Sequence, residues 1–341
     1  MAIPTSGALA FSALQTEFGG TNPIGLSEYY AGGGLVPATA SGTNGAVPSS
    51  GALAMSKFYG TENVVFMAAS GGTTSTSGDY KFHTFTGNGT FSITTAGNQG
   101  YNYIVVAGGA GGPNSGTYEN GAGGGGAGGM IVTTNNSPTT GSFGVTVGGG
   151  GAGSSSNQTQ GTDGSNSTFA AGSLTAIGGG AGGVARGGPG SSFLPGRSGG
   201  SGGGGSGYNQ TGFSGGSGTS NQGNAGGNGS WSGTGIGGGG GGKNEAGNTD
   251  GTRAGGDGLQ WDDGSSYAGG GGGGGGGSGA GGTGGGGNGA FGINDNAGSA
   301  QSGTANTGGG GGGNSSTGPS NNTYSSGNGG SGIVKIRYKY Q

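Results

Sequence analysis

Nine consecutive glycines occupy positions 269–277, and unbroken runs fill 237–242 and 308–313. A segment without Cβ atoms brings no side chain to a core and loses more backbone freedom on ordering than any other. Two outcomes suit it. Either the chain stays a flexible coil, as Gly/Ser tracts do, or bare backbones pack side by side and hydrogen-bond to each other. Collagen is excluded, because it needs glycine at every third position and abundant proline. This chain has 109 glycines in 341 residues, but only nine prolines. With 27% apolar residues, a conventional core can serve only a minority of the length.

The last ten residues favour order. In GIVKIRYKYQ, 332–341, Val334, Ile336, Tyr338 and Tyr340 alternate with Lys335, Arg337 and Lys339, the period of a half-buried strand. A lone strand needs a sheet. That sheet is read in 62–150, where Phe91 and Ile93 alternate in TFSITT, Tyr101, Tyr103 and Val105 share a face, and Phe143, Val145 and Val147 share another. The Asn88-Gly89 step predicts a tight hairpin. Joining the last strand to this sheet closes a loop of roughly 190 residues, at about 5 kcal/mol plus a constant, and compact order in between makes that easier.

Polyglycine can order as extended threefold helices, about 3.1 Å per residue, whose backbone groups bond outward to neighbours. Where such helices crowd, only glycine fits, so an interior helix is expected to be glycine throughout. Ordering costs about 1–2 kcal/mol per residue, against about 0.5–1.5 kcal/mol per hydrogen bond, which makes the bundle all-or-none. The polar, aromatic-bearing segments become turns at its two ends.

Residues 1–61 have near-average composition and an internal repeat. PTSGALAFSAL, 4–14, returns as PSSGALAMSKF, 48–58. Three segments share the order apolar, serine, any residue, apolar: Phe11 to Leu14, Leu26 to Tyr29 and Met55 to Phe58. Short helices are expected over about 12–18, 26–31 and 55–59. Ser12 and Gln15 would form a capping box, and Gly19, Gly32 and Gly60 would end the helices. Sixty residues make a marginal core, so this unit is read as a dock that finishes folding against a partner or against copies of itself, with Phe11, Leu14, Leu26, Tyr29, Met55 and Phe58 as docking residues.

The fold class expected is therefore mostly β and irregular: a docking region with short helices (1–61), an antiparallel platform (62–150), a polyglycine II bundle (151–331) and a closing strand (332–341). Nine basic and twelve acidic residues, net charge −3, give no basic footprint for nucleic acid. The absence of cysteine removes disulfides and thiolate metal sites. No positively charged leader precedes an apolar run and no stretch of eighteen apolar residues occurs, so a soluble, cytoplasmically made protein is expected.

Catalysis finds little support. His83 is the only histidine, and a solvent-facing strand position is expected for it rather than a Ser-His-Asp role. Gly237–Asn244 mimics a phosphate loop but ends in Asn244 and follows no strand. The acids of WDDG, 261–264, are read as solvated rather than as a cation site. No enzyme activity, metal or cofactor is assigned. Bulky aromatics cannot enter a glycine layer and must lie at its ends or faces, where Trp and Tyr give large contact area at low entropy cost. Trp231, Trp261, Tyr267, Tyr208, Phe213, Phe291 and Tyr324 are the candidate ligand-contacting residues, with Phe193, Leu194 and Arg197 as a further group.

YNYIVVAGGAGG and GGSGIVKIRYKY, bracketing long glycine runs, resemble the glycine-rich tail-fibre tip proteins of bacteriophages. SGALAFS, GLSEYYAGG and SGALAMSKFYG resemble N-terminal units of structural proteins from marine and cyanobacterial phages. The resemblance implies a sandwich of polyglycine helices whose distal loops bind a bacterial surface receptor, an outer-membrane protein or a glycan. It also implies attachment to other tail or fibre proteins of a virion assembled in the host cytoplasm, with both a monomer and a homotrimer open. A purely structural virion component or self-assembling fibre is the alternative. An ice-binding protein is the third reading, disfavoured by the irregular phasing of the glycine segments.

Overall fold

The computed structural model describes residues 3–38, 40–116, 120–186, 193–209, 211–292, 298–316 and 324–341. Its platform is built from ten strands: β1 (Ala68–Ser70), β2 (Thr73–Ser77), β3 (Tyr80–Phe85), β4 (Gly89–Thr95), β5 (Tyr101–Val106), β6 (Met130–Asn136), β7 (Gly141–Thr146), β8 (Ser167–Phe169), β9 (Leu174–Ala176) and β10 (Ile333–Lys339). They form two five-stranded sheets, ordered β2-β3-β10-β5-β6 and β9-β8-β7-β4-β1. All pairings between them are antiparallel. The alternating residues read in the sequence meet between the sheets: Phe91, Ile93, Tyr103, Val105, Val145, Val334, Ile336 and Tyr338 all lie in one buried cluster.

The closing strand is central, not peripheral. β10 pairs with β3 on one side, Val334 opposite Phe85, and with β5 on the other, Val334 opposite Val105. Its second face is covered as well. Ile333 joins Phe82, Ile104 and Val106 in a second cluster with Trp261, Tyr267 and Ala268, so the strand is buried on both faces and not half-exposed.

Two further expectations for the platform fail. The Asn88-Gly89 step does not make a hairpin, because β3 and β4 lie in different sheets. Phe85 and Phe91 both have to reach the core between the sheets, so the chain turns a corner there. The tight connection is instead β2 to β3 through Gly78 and Asp79, with Ser77 opposite Tyr80. His83 is fully buried rather than solvent-facing. Alternation along β3 puts it on the core side with Phe85, where Nδ1 lies 2.6 Å from the Gly71 carbonyl and Nε2 3.2 Å from the Tyr338 hydroxyl. Burial lowers its pKa, the Gly71 carbonyl opposes that, and the charge of Lys81 lowers it further.

The glycine segments pack as threefold extended helices. Residues 121–129 are surrounded by segments 107–112, 177–183, 201–207, 237–242, 270–274 and 308–313. The amides of Gly123, Gly126 and Gly129 donate to Gly183, Gly180 and Ile177; those of Gly124 and Ala127 donate to Gly238 and Gly241; those of Gly125 and Gly128 donate to Gly311 and Gly308. Every third residue thus meets the same neighbour, the period of polyglycine II. A Cβ on Gly124 would lie 2.0 Å from the Gly271 carbonyl oxygen, which is the steric reason for glycine.

The bundle departs from expectation in two respects. It is interleaved with the platform, since its central segment connects β5 to β6 and another, 148–153, follows β7; conversely β8 and β9 lie in the stretch expected to be bundle. Boundaries at 150 and 151 therefore do not separate two units. The interior is also not pure glycine, for Ala122 and Ala127 are fully buried. Ala127 lies near the sheet end, where its methyl joins the cluster of Val106, Met130 and Ala268, and Ala122 lies near the opposite end.

At the N-terminus the three short helices appear as expected: α1 (Phe11–Phe18) and single 3-10 turns at Leu26–Tyr29 and Met55–Phe58. Gly19 ends α1 with φ +81°. The Ser12 capping box does not form. The N-cap is Ala10, without a side-chain cap, because the helix starts one residue earlier and takes Ser12 into its first turn. The docking residues are also corrected. Leu14, Tyr29 and Phe58 are fully buried, with Phe11, Leu26 and Met55 packed around them. Edge-to-face rings join Phe11, Phe18, Tyr29 and Phe58. The unit closes its own core on these side chains.

Candidate functional site

The bundle has two ends, fixed by the chain path. Segment 121–129 runs into β6, so Met130 marks the sheet-proximal end and Gly121 the distal end. Gly121 donates to the Gly207 carbonyl, and Gly275 lies against Gly121 and Gly235. The hairpins Gly207–Tyr208 with Thr211–Gly212, and Ser230–Trp231 with Gly235–Ile236, are therefore distal. Proximal turns include Thr219 to Gln222, whose Gln222 carbonyl accepts from the Met130 amide, and 259–267.

Five of the seven aromatic candidates lie at the distal end. Tyr208 and Trp231 are half-buried in the two neighbouring hairpins. Phe213 stacks on Phe193 at 4.6 Å and 15° between planes, and Tyr208 lies 5.3 Å from Phe193. Phe193 is held there because Leu194 bridges Val184, the outer end of segment 177–184. Phe291 sits in a short parallel pair opposite Ser315, whose hydroxyl donates to the Asn120 carbonyl. The Tyr324 carbonyl accepts from Asn114 Nδ2 at 2.7 Å. These three rings, Phe193, Tyr208 and Phe213, are half-buried, so each offers part of its surface to solvent. Arg197 is not with them; it bonds Gln160 and pairs with Asp163 at 3.4 Å.

Trp261 and Tyr267 are at the wrong end and buried, 6% and 4% exposed. Trp261 packs edge-on to Phe82 at 6.1 Å. Their hairpin docks the bundle on the platform: Asp262 pairs with Arg337 at 2.6 Å and accepts from Asn102 at 2.8 Å, while Asp263 pairs with Lys335 and accepts from Tyr267 at 2.7 Å. Burial pushes the Asp263 carboxyl up, but hydrogen bonds from Lys335, Tyr267 and the Ser265 amide outweigh it and hold its pKa below the ordinary value. Burial likewise works against the Lys335 ammonium, and the same partners raise its pKa. The WDDG acids are thus ion-paired rather than free in solvent, Asp263 half-buried and Asp262 still exposed. They are spent on the basic face of β10, a pairing of residues about 70 positions apart that no local spacing reveals.

The remaining chemistry is sparse. In Gly237–Asn244 the amides of Gly237, Gly238, Gly240 and Gly241 donate to Gly274, Gly205, Gly271 and Gly202, so no anion cradle exists. Glu245, Asp250 and Asp257 each bring one oxygen within 4.8 Å of the others, a grouping that sequence reasoning missed because twelve residues separate its ends. Glu245 and Asp257 already accept backbone amides there.

No curated protein matches the chain. The model of a family described as a glycine-rich domain matches residues 84–339, from the end of β3 to the end of β10, enclosing the whole bundle and excluding the N-terminal unit. The chain belongs to that glycine-rich domain family.

Proposed function

We propose that this chain is a bacteriophage tail-fibre tip or adhesin, attached to the virion through residues 1–61 and binding a receptor on the bacterial surface through the distal end of its bundle. The observation that carries the reading is the cluster of Phe193, Tyr208 and Phe213 beside Trp231, set at the end of the bundle farthest from the platform. Half-exposed aromatic rings already packed on one another supply contact area at small ordering cost. The linker that follows the N-terminal unit bonds Asn98, in the turn before β5, at the platform end away from the bundle, so attachment and binding need not compete. The shared phrases at 4–14 and 48–58 and the closing GGSGIVKIRY support the viral setting by resemblance.

The test is competition. Purified full-length protein should block adsorption of the virus to its host. The Tyr208→Ala, Phe213→Ala, Trp231→Ala variant should compete at least about ten-fold less well, as loss of central aromatic anchors does, with an unchanged melting temperature. Undiminished competition by that variant would leave a scaffold without a receptor site.

A further inference from the structure

The N-terminal unit carries an internal rotation axis. Aligned on the three apolar-serine motifs, residues 7–15, 22–30 and 51–59 are nine-residue repeats whose burial patterns differ only at Glu28, exposed where Ala13 and Lys57 are half-buried. Leu14, Tyr29 and Phe58 are fully buried at one shared position, and Ser12, Ser27 and Ser56 are exposed at another. Three stretches of unequal spacing in the chain thus repeat the same order of exposed and buried positions, the first opening an α-helix and the other two single 3-10 turns.

Their contacts form a ring. Gln15, Tyr30 and Tyr59 each stand four residues after the first apolar residue of a motif; Asn22, Gly51 and Gly7 each stand four before one. Gln15 Nε2 donates to Asn22 Oδ1 at 3.3 Å, the Tyr30 hydroxyl donates to the Gly51 carbonyl, and the Tyr59 hydroxyl donates to the Gly7 carbonyl. Repeat one holds two, two holds three, and three returns to one. Linear stacking would leave the last repeat without a partner. At the centre, Phe18, Tyr29 and Phe58 form a near-equilateral triangle of rings, 6.5, 6.3 and 6.3 Å apart. Leu14 is too short to reach the middle, and Phe18, one turn later in α1, supplies the third ring.

We infer that residues 4–60 are a single-chain plug with approximate threefold symmetry, which seats on the axis of a partner made of three identical chains, one copy of this protein per partner trimer. A surface repeated three times about an axis is engaged at all three places only by a partner with the same rotation, because each partner subunit then meets the same patch. A cyclic trimer of this chain would have to generate by assembly a symmetry that one copy already contains. The plug lies outside the region matched by the glycine-rich family, so it is a separate attachment device. The inference rests on the virion-docking part of the proposed function.

The experiment places a photo-cross-linking phenylalanine at Ser12, Ser27 or Ser56, one per variant of the full chain, in the assembled particle. All three positions should cross-link to the same peptide of one particle protein, and the purified chain should sediment as a monomer. Cross-links to different peptides, from one position only, or between copies of this chain would overturn the threefold match, as would a sedimenting trimer. Absence of cross-links to any particle protein from all three positions would overturn the docking reading itself, and this inference with it.

Discussion

Asp263 in the bundle's proximal hairpin and Lys335 in the central strand of the platform form an ion pair in which the two side chains are only 13% and 14% exposed. The pair joins the two halves of the molecule, and the Tyr267 hydroxyl lies against both members.

Removing one partner leaves the other charge buried. Asp263→Asn should therefore cost about 3 kcal/mol, the lower end of the range for broken buried pairs because the groups retain some solvent. Asp263→Asn with Lys335→Met should cost less than the two single changes added together. A double-mutant cycle in urea measures the coupling, and additive losses would show that the pair contributes nothing of its own.

Stability should also respond to pH through the same pair. Asp263 has a depressed pKa in the folded state, so its contribution is present above the unfolded value, about 3.9, and is lost as pH falls through the folded one. Lys335 has a raised pKa, so its contribution is present below about 10.4 and is lost as pH rises through the folded value. Melting temperatures recorded across both limits should lose these two steps in the Asp263→Asn, Lys335→Met variant.

His83 sets a third step. Its folded pKa lies below the ordinary value because burial disfavours the imidazolium. Below about pH 6.5 the unfolded chain binds a proton that the folded chain does not. Stability should then fall as pH drops from about 6.5 toward the folded pKa, and His83→Gln should flatten that part of the profile. An equal acid slope in the variant would place the titrating group elsewhere.

Much of the platform was legible because side chains write it. The alternation at Phe91 and Ile93, at Tyr101 to Val105 and at Val334 to Tyr338 names both the strands and the face they bury. The aromatic turns at Tyr208, Phe213 and Trp231 were legible for the converse reason, since rings cannot enter a glycine layer. Glycine itself encodes no partner. Nothing in GAGGGGAGG distinguishes the central segment, 121–129, from a loop between two strands, and its neighbours are set by backbone amides alone. Trp261 was misplaced because it packs on Phe82, and the acids that follow it pair with Arg337 and Lys335, all in distant strands. The docking residues were misread because a small unit can satisfy its apolar positions internally when its repeats close on each other.

Glycine in the bundle should be irreplaceable at the centre and optional at the rim. Gly124→Ala would drive a methyl to 2.0 Å from the Gly271 oxygen and 2.5 Å from its carbonyl carbon, both backbone atoms, and should cost at least about 3 kcal/mol, the upper part of the overpacking range. A Cβ at Gly149 meets nothing within 4 Å, so Gly149→Ala should be neutral or stabilise by up to about 1 kcal/mol through the unfolded chain. Thermal unfolding of the two variants measures the contrast.

Backbone order in the same segment predicts its hydrogen exchange. Amides of Gly123, Gly126 and Gly129 are bonded within the bundle and should exchange only on global unfolding. Mass spectrometry of peptides covering 121–129 should show protection matching that of β5. Exchange at random-coil rates there would remove the scaffold on which the receptor reading stands.

The position of β10 between β3 and β5 has a consequence for biosynthesis. A ribosome that stalls anywhere before residue 333 releases a polypeptide whose main sheet has a gap at its middle and two open edges. Such fragments lack the strand that fills this gap, and their open edges invite pairing with other chains. Residues 333–339, the last of the ten strands in chain order, are therefore what lets that sheet close.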